Sequence, residues 1–303
     1  MVGIYLHIPF CKKRCTYCDF FSSTDLIKVD SYVEKLRNDI KIYFAGQNTP
    51  PAVGTIYIGG GTPSLLTNEQ MMRLFSVLPN ANEITIECNP ESLTEEKLLC
   101  YKKLGINRVS IGVQSFDGKT LQRFGRLHTV KEAKEKIVLA KKFFDNVSID
   151  LISTDKRVKI PNSILKIITH ISIYDLTKND KTVYDTNFHY KFKHFQRYEV
   201  SNYSKISNRA GSYQCRHNLN YWNCGEWLAF GDGAIPSHEF NQNEKIMMGM
   251  RTIYGVDKDM VRADGLSYLL KQKLVQISGG KVIASKKGFD FLNKVIYILI
   301  YGL

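Results

Sequence analysis

Through its first half and slightly beyond, the chain alternates short apolar runs with longer stretches that carry apolar residues at helical spacing. That alternation predicts βα units feeding a parallel sheet. Strands are expected over Val2–Ile8, Val53–Ile58, Glu83–Cys88, Arg108–Val113, Val147–Ile152 and His170–Leu176. Helices are expected over Tyr32–Phe44, Glu69–Leu78, Glu95–Leu104 and Val130–Phe144. Several open on a capping residue, as Thr94 does ahead of Glu95-Glu96-Lys97, where a side-chain oxygen can accept an orphan amide bond. Six such units give an α/β fold, an open and partial (β/α)6 barrel. Such barrels gather reactive groups where the βα loops converge, at the carboxyl ends of the strands.

The polar residues obey that rule. Gly59-Gly60-Gly61-Thr62-Pro63 follows the second strand, Glu87 ends the third, Gln114 follows the fourth and Asp150 lies near the end of the fifth. A glycine run alone reads as a tight turn; beside a reactive loop, its missing Cβ atoms let a ligand approach the backbone. Taken singly, Glu87 and Asp150 also read as solvated strand-end acids.

The loop after the first strand carries Cys11-Lys12-Lys13-Arg14-Cys15-Thr16-Tyr17-Cys18, a CxxxCxxC spacing. Three thiolates can anchor a four-iron cluster and leave one iron open to a small molecule. The alternative is a zinc knuckle, but structural zinc takes four closed ligands and no second close cysteine pair follows. Seven cysteines, an odd number without an export signal, argue for a reducing cytosol over a disulfide framework. Cys88, Cys100, Cys215 and Cys224 read as small buried hydrophobes.

These residues together resemble the radical S-adenosylmethionine (SAM) superfamily, in the branch of oxygen-independent coproporphyrinogen III oxidases and HemW-type haem chaperones. The resemblance implies a [4Fe-4S] cluster on Cys11, Cys15 and Cys18, with SAM chelating the open iron and Tyr5 and Tyr17 lying against both. It further implies that Gly60, Gly61 and Thr62 contact the SAM amino group. Glu87, Gln114, Arg126 and Asp150 would hold its ribose and methionine ends. Carboxylates suit ammonium and ribose hydroxyls, and a planar guanidinium suits a carboxylate. No catalytic residue is assigned.

A second signature is Arg197-Tyr198-Glu199-Val200-Ser201-Asn202-Tyr203, followed by Cys215-Arg216-His217-Asn218-Leu219-Asn220-Tyr221-Trp222. It resembles the HNxxYW element of the haem-chaperone branch, which implies haem contacts at His217, Tyr221 and Trp222. The other reading makes His217 and Trp222 polar-tipped core residues that close the barrel. The oxidase branch carries a further cysteine two positions after the third ligand, where this chain has Phe20. The expected function is therefore a haem chaperone that carries haem as cargo to an acceptor protein, with coproporphyrinogen III oxidation as the alternative. An electron donor for the cluster is an implied partner.

Beyond Gly231-Asp232-Gly233-Ala234 the alternation stops, which divides the chain into a barrel over 1–236 and a smaller domain over 237–303. Its helix at Leu266–Lys273, strand pair around Gly279-Gly280 and helix at Lys286–Leu299 resemble a winged helix, expected to cap the barrel mouth. The net charge of +13 admits nucleic acid, but the basic residues are dispersed and carry no binding signature. No secretory signal opens the chain, and the apolar tail Val295–Leu303 is too short to span a bilayer, so a cytoplasmic protein is expected. The chain departs from the family at Ser153-Thr154-Asp155-Lys156-Arg157, where a Gly-Leu-Pro-Gly turn is usual. It is also short over Thr177–Phe195 and Ser237–Met247.

Overall fold

The computed structural model describes residues 1–154, 157–176, 190–207 and 213–303. Parts of the departures noted above, at 155–156 and 177–189, lie outside these residues. Six strands run parallel in sequence order: β1 (Val2–Ile8), β2 (Val53–Gly60), β3 (Glu83–Cys88), β4 (Arg108–Gln114), β5 (Asn146–Ser153) and β6 (His170–Asp175). Helices α1 (Val29–Ala45), α2 (Asn68–Phe75), α3 (Glu95–Lys103), α4 (Gly118–Arg123), α5 (Val130–Phe143) and α6 (Asn162–Ile167) fill the crossovers. Every strand and helix expected in this half is present.

The sheet extends further than the six-unit expectation. Strands β7 (Phe195–Arg197) and β8 (Asn202–Lys205) form an antiparallel edge on β6, and after α7 (Arg216–Trp222) strand β9 (Trp227–Phe230) pairs parallel with β1. These strands have three or four residues each, too few for a period to register.

The two faces of the parallel strands differ in chemistry. One carries Ile4, Leu6 and Ile8, Ile56 and Ile58, Val109, Ile111 and Val113, and Val147, Ile149 and Leu151, all in one core with Leu36, Ile40, Leu74, Leu98 and Ile137 of the helices. Burying each such side chain contributes about 1.5–3 kcal/mol. The opposite, concave face is polar: Thr55 and Tyr57 on β2, Glu83, Thr85 and Glu87 on β3, Arg108 and Ser110 on β4, Ser148 and Asp150 on β5, His170 and Ser172 on β6. Parallel register aligns these positions across neighbouring strands, as in Glu87 with Ser110 and Asp150 with Ser172. Period-two alternation in the sequence is what gives each strand one apolar and one polar face.

Helix starts are chemically specified. Thr67 with Gln70, Thr129 with Glu132 and Asn241 with Glu244 form reciprocal capping boxes on α2, α5 and α8 (Gln242–Gly249).

The remaining chain supplies β10 (Val256–Asp257), α9 (Ala263–Lys271), β11 (Val275–Ser278), β12 (Lys281–Ala284), α10 (Lys286–Asp290) and α11 (Leu292–Tyr301). Together with α8 they enclose a second apolar core around Met250, Leu269, Val282, Val295 and Leu299. This unit packs on the β7–β8 edge and α7: Val200 joins its core, Arg197 lies 5.1 Å from the Phe289 ring centre, and Arg251 lies 5.7 Å from that of Trp222. Among the described residues no helix is long and apolar enough to cross a membrane.

Candidate functional site

A cavity of about 570 Å³ opens at the carboxyl ends of β2 to β6. Cys11, Cys15 and Cys18 line it together with Tyr17, Gly60, Gly61, Thr62, Glu87, Gln114, Arg126 and Asp150. Of the residues expected to hold the cluster and SAM, only Tyr5 is not in this lining. Its hydroxyl meets His7 Nδ1 at 3.0 Å and its ring stacks on Tyr57, which does line the cavity. Among the described residues none after Leu176 lines this cavity, so no contact of the C-terminal unit with it is seen. Its contacts go to β7, β8 and α7 instead.

The cysteine loop is fitted to the glycine turn. Gly61 N donates to Ile8 O at 2.9 Å, and a Cβ on Gly61 would stand 2.8 Å from Phe10 O and 3.0 Å from Cys11 Sγ. Gly60 has φ +113°, where only glycine is at ease. Thr62 Oγ1 donates to Cys11 Sγ at 3.5 Å, and Arg126 Nη1 donates to Cys15 Sγ at 3.5 Å. Burial pushes the Cys11 and Cys18 thiols above their ordinary range. Among the described residues no three His, Cys, Asp or Glu side chains converge on a single ion position.

The acids are held in place. Glu87 accepts from Tyr57 Oη at 2.8 Å and from Gly60 N at 3.2 Å; burial, reinforced by the Asp150 charge, pushes its carboxyl up to about 7. Asp150 accepts from Ser110 Oγ at 3.0 and 2.9 Å, and burial raises it above the usual carboxylate range. Gln114 sits at φ +64°, a left-handed conformation that costs a non-glycine residue on the order of 1–3 kcal/mol. The carbonyl just before it, Val113 O, accepts from His128 Nε2 at 3.1 Å, and His128 Nδ1 faces Glu91 Oε2 at 3.3 Å.

Asn89 is a cavity residue that the sequence reading passed over. Its Nδ2 donates to Thr62 Oγ1 at 3.0 Å and its Oδ1 accepts from Arg126 Nη2 at 2.6 Å, so one amide links the two side chains that touch Cys11 and Cys15. The signal was available, since Asn89 follows β3 at the same end as Glu87. Gly112 gives the amide room: a Cβ there would meet Asn89 Oδ1 at 2.9 Å.

His217 lies in a different place. It is 1% exposed, with Nδ1 against Thr55 Oγ1 at 2.8 Å, Nε2 against Tyr221 Oη at 2.9 Å, and its ring stacked on Tyr57 at 5.2 Å. Burial, then the nearby Arg108 charge, pushes it down to about 3 and keeps it neutral. Both nitrogens are engaged, so neither is presented to an iron unless one of these bonds breaks. Trp222 and Tyr221 are half-buried, and Tyr221 packs edge-on against Trp227. Glu83 caps α7 from β3, accepting from Arg216 N at 3.0 Å and His217 N at 3.1 Å. Below it Arg108, 2% exposed, donates to His170 Nδ1 at 3.2 Å, which places the His170 proton on Nε2, facing Tyr198 Oη at 2.8 Å. This segment therefore closes the floor of the barrel.

A Radical SAM superfamily sequence profile matches residues 5–158. The chain belongs to the radical SAM superfamily, in its HemW-type family. Relatives named Heme chaperone HemW are 35% identical over 266 residues in Buchnera aphidicola subsp. Acyrthosiphon pisum, covering 77% of this chain and 69% of the relative. The relative of that name in Escherichia coli K12 is 34% identical over 274 residues, covering 77% and 69%. That of Lactococcus lactis is 30% identical over 370 residues, covering 96% and 95%. The solved coproporphyrinogen III oxidase HemN of Escherichia coli shares the fold across all of this chain and 90% of its own, with a TM-score of 0.77 at 17% identity.

Proposed function

We propose that this protein is a haem chaperone that binds haem and passes it to an acceptor protein, using a [4Fe-4S] cluster liganded by SAM. The observation that carries the cofactor reading is the convergence of Cys11, Cys15 and Cys18 with Gly60, Thr62, Glu87, Gln114, Arg126 and Asp150 on one cavity. The donor set fits: three free thiols from one short loop, a glycine cradle that a single Cβ would fill, and a buried Arg126 whose Nε has no partner among the described residues. In this reading the three cysteines hold the cluster. The backbone of Gly60 to Thr62, the acids Glu87 and Asp150, and Gln114 and Arg126 hold SAM.

When bound, such a cluster would supply one-electron chemistry beside the SAM sulfonium. The protein's own share is placement and exclusion of water. Glu87, with a carboxyl near 7, accepts from Tyr57 and Gly60 and offers its remaining lone pairs to an ammonium or hydroxyl. Arg126, braced by Asn89 and Gly112 O, offers a fixed planar donor for a carboxylate. Tyr57 in turn is backed by the His217 ring, so α7 supports the SAM pocket from below.

The chaperone reading rests on the names of the relatives that align with three quarters or more of the chain and on Phe20 at the position of the oxidase branch's extra cysteine. In the fold as seen, His217 serves the barrel floor; haem contact at His217, Tyr221 and Trp222 requires α7 to shift. The free cysteines suit a reducing, cytoplasmic setting. The test is anaerobic cluster reconstitution followed by addition of haem or of coproporphyrinogen III. A shifted Soret band with a stable haem complex supports the proposal. Protoporphyrinogen formation without such a complex would replace it with the oxidase reading.

A further inference from the structure

Strand β9 forms one edge of the sheet, and from it the chain crosses to α8 over 231–241. Three bonds tie this crossing to the strand. Ser237 N donates to Trp227 O and Trp227 N to Ser237 Oγ, each at 3.0 Å, and Trp227 Nε1 donates to Ile235 O at 2.9 Å. A row of rings runs outward along it, with centres 4.4 Å apart from Tyr221 to Trp227, 5.8 Å from Trp227 to Phe240 and 4.6 Å from Phe240 to His238. Ile235 is 77% exposed beside them. None of these residues lines the SAM cavity.

His238 ends the row, and its side chain is 60% exposed. Its Nε2 meets Glu244 Oε1 at 3.1 Å. The other carboxylate oxygen accepts from Asn241 N at 2.9 Å in the α8 capping box, so Glu244 is fixed from both sides. The Asn241 amide, then His238, hold the Glu244 carboxyl below its usual range. An ionised carboxylate only accepts, so Nε2 carries the imidazole proton and Nδ1 keeps a lone pair, without a partner among the described residues. The exposed ring is free to turn, so the carboxylate can hold either N–H while the other nitrogen faces outward. A carboxylate on one ring nitrogen is the arrangement that orients a metal-ligating imidazole and raises its basicity. Among the described residues the other histidines lack it in this form: His7, His128, His170 and His217 have both nitrogens engaged, and the exposed His194 has no carboxylate within 4 Å.

Cations stand on the same side. Lys245 follows Glu244 on α8, and Arg251 lies 5.7 Å from the Trp222 ring centre; neither has an ion-pair partner within 4 Å among the described residues. Haem has an apolar face, an iron that takes an axial nitrogen, and two carboxylates on one edge. We propose that His238 is the iron ligand of a haem seat on this outer face, with Trp227, Phe240 and Ile235 as its apolar ground and Lys245 and Arg251 as partners for the carboxylates. This rests on the haem-cargo reading, and it gives haem a seat that is reached with α7 in place. One Fe–N bond forms from the imidazole lone pair and displaces a weakly held water; no electron or proton is transferred. The row of rings joins this seat to Tyr221 of the second signature.

The test titrates ferric haem into the purified protein, follows the Soret band and reads the axial ligand by electron paramagnetic resonance. Wild type is expected to show an imidazole-ligated iron. His238→Ala is expected to lose that signature and to bind about tenfold or more weakly. Glu244→Gln keeps the capping box and removes the charge behind the imidazole, so it should bind about tenfold more weakly with the signature retained. Lys245→Glu should weaken uptake at low salt and leave the signature unchanged. His194→Ala, an exposed histidine away from this face, should stay within about twofold of wild type. Thermal melts of each variant check the fold.

Wild-type affinity and signature in His238→Ala overturn the inference. So does a thiolate signature, which would assign the iron to the half-buried Cys224, and so does equal loss in His194→Ala, which would mark adventitious binding to surface imidazoles. Loss in His217→Ala with His238→Ala intact would return the haem to the barrel floor. A wild type that takes up no haem removes the haem-cargo reading itself, and this seat with it.

Discussion

Gly61→Ala tests whether the cysteine loop is placed by the glycine turn. The added methyl would lie 2.8 Å from Phe10 O, 2.9 Å from Phe10 N and 3.0 Å from Cys11 Sγ, where ordinary contacts start near 3.4 Å. The loop must therefore retreat by roughly half an ångström, which costs about 1–3 kcal/mol as overpacking. It has little freedom to do so, because Gly61 N is bound to Ile8 O and Cys11 N to Ser23 O, each at 2.9 Å. For a chain of this size that cost lowers the melting temperature by about 2–10 °C. Cluster loading should fall further, since the displaced atom, Cys11 Sγ, is one of the three proposed ligands. Gly118→Ala is the matched control: a Cβ there meets nothing within 4 Å. The assay pairs thermal melts with iron content and visible absorbance after anaerobic purification. Wild-type iron content together with an unchanged melt in Gly61→Ala would refute the close-approach reasoning.

Glu87 predicts a pH dependence. Its folded-state carboxyl, near 7 against an ordinary 4.5, binds protons more tightly than in the unfolded chain, so its share of stability is complete below about 4.5 and is lost as pH rises through 7. The shift sets an upper bound of about 3 kcal/mol, reduced by solvent at the cavity wall. Glu87→Gln should flatten urea-midpoint curves between pH 5 and 8, leaving the parallel contribution of buried Glu199, also near 7; an unaltered slope would count against the assignment. Asn89→Ala should weaken SAM binding and shift the cluster's absorption without unfolding the barrel, because it unties Thr62 from Arg126; unchanged affinity and spectrum would contradict that. Thr129→Ala removes the α5 capping box and should cost about 1 kcal/mol in denaturant melts with cluster content intact. Lost iron in that variant would mean that α5 bears on the site.

The parallel strands and their helices were legible because each is long enough to show its period and is bounded by turn or cap residues. The residues lining the cavity were legible because the strand-end rule gathers them: Glu87, Gln114 and Asp150 are far apart in sequence and meet only through topology. Other features were not fully legible. The edge strands Phe195–Arg197, Asn202–Lys205 and Trp227–Phe230 are too short to carry a period. Asn89 was passed over because an amide gives no charge signal, although its position obeys the same rule. His217 stood open between haem contact and barrel closure; the fold puts it in the barrel floor through long-range partners, Thr55 and Glu83, that no local pattern reveals. The seat of the C-terminal unit was equally hidden, since it is decided by contacts of Arg197 and Val200 with Phe289 and its neighbours.

The central claim is that Cys11, Cys15 and Cys18 anchor an iron–sulfur cube at the mouth of a SAM pocket. Metal and acid-labile sulfide measured per chain on protein purified without oxygen test it most directly. Roughly four irons and four sulfides are expected, lost on Cys15→Ala while the barrel stays folded. Colourless protein holding zinc and no sulfide would contradict the account.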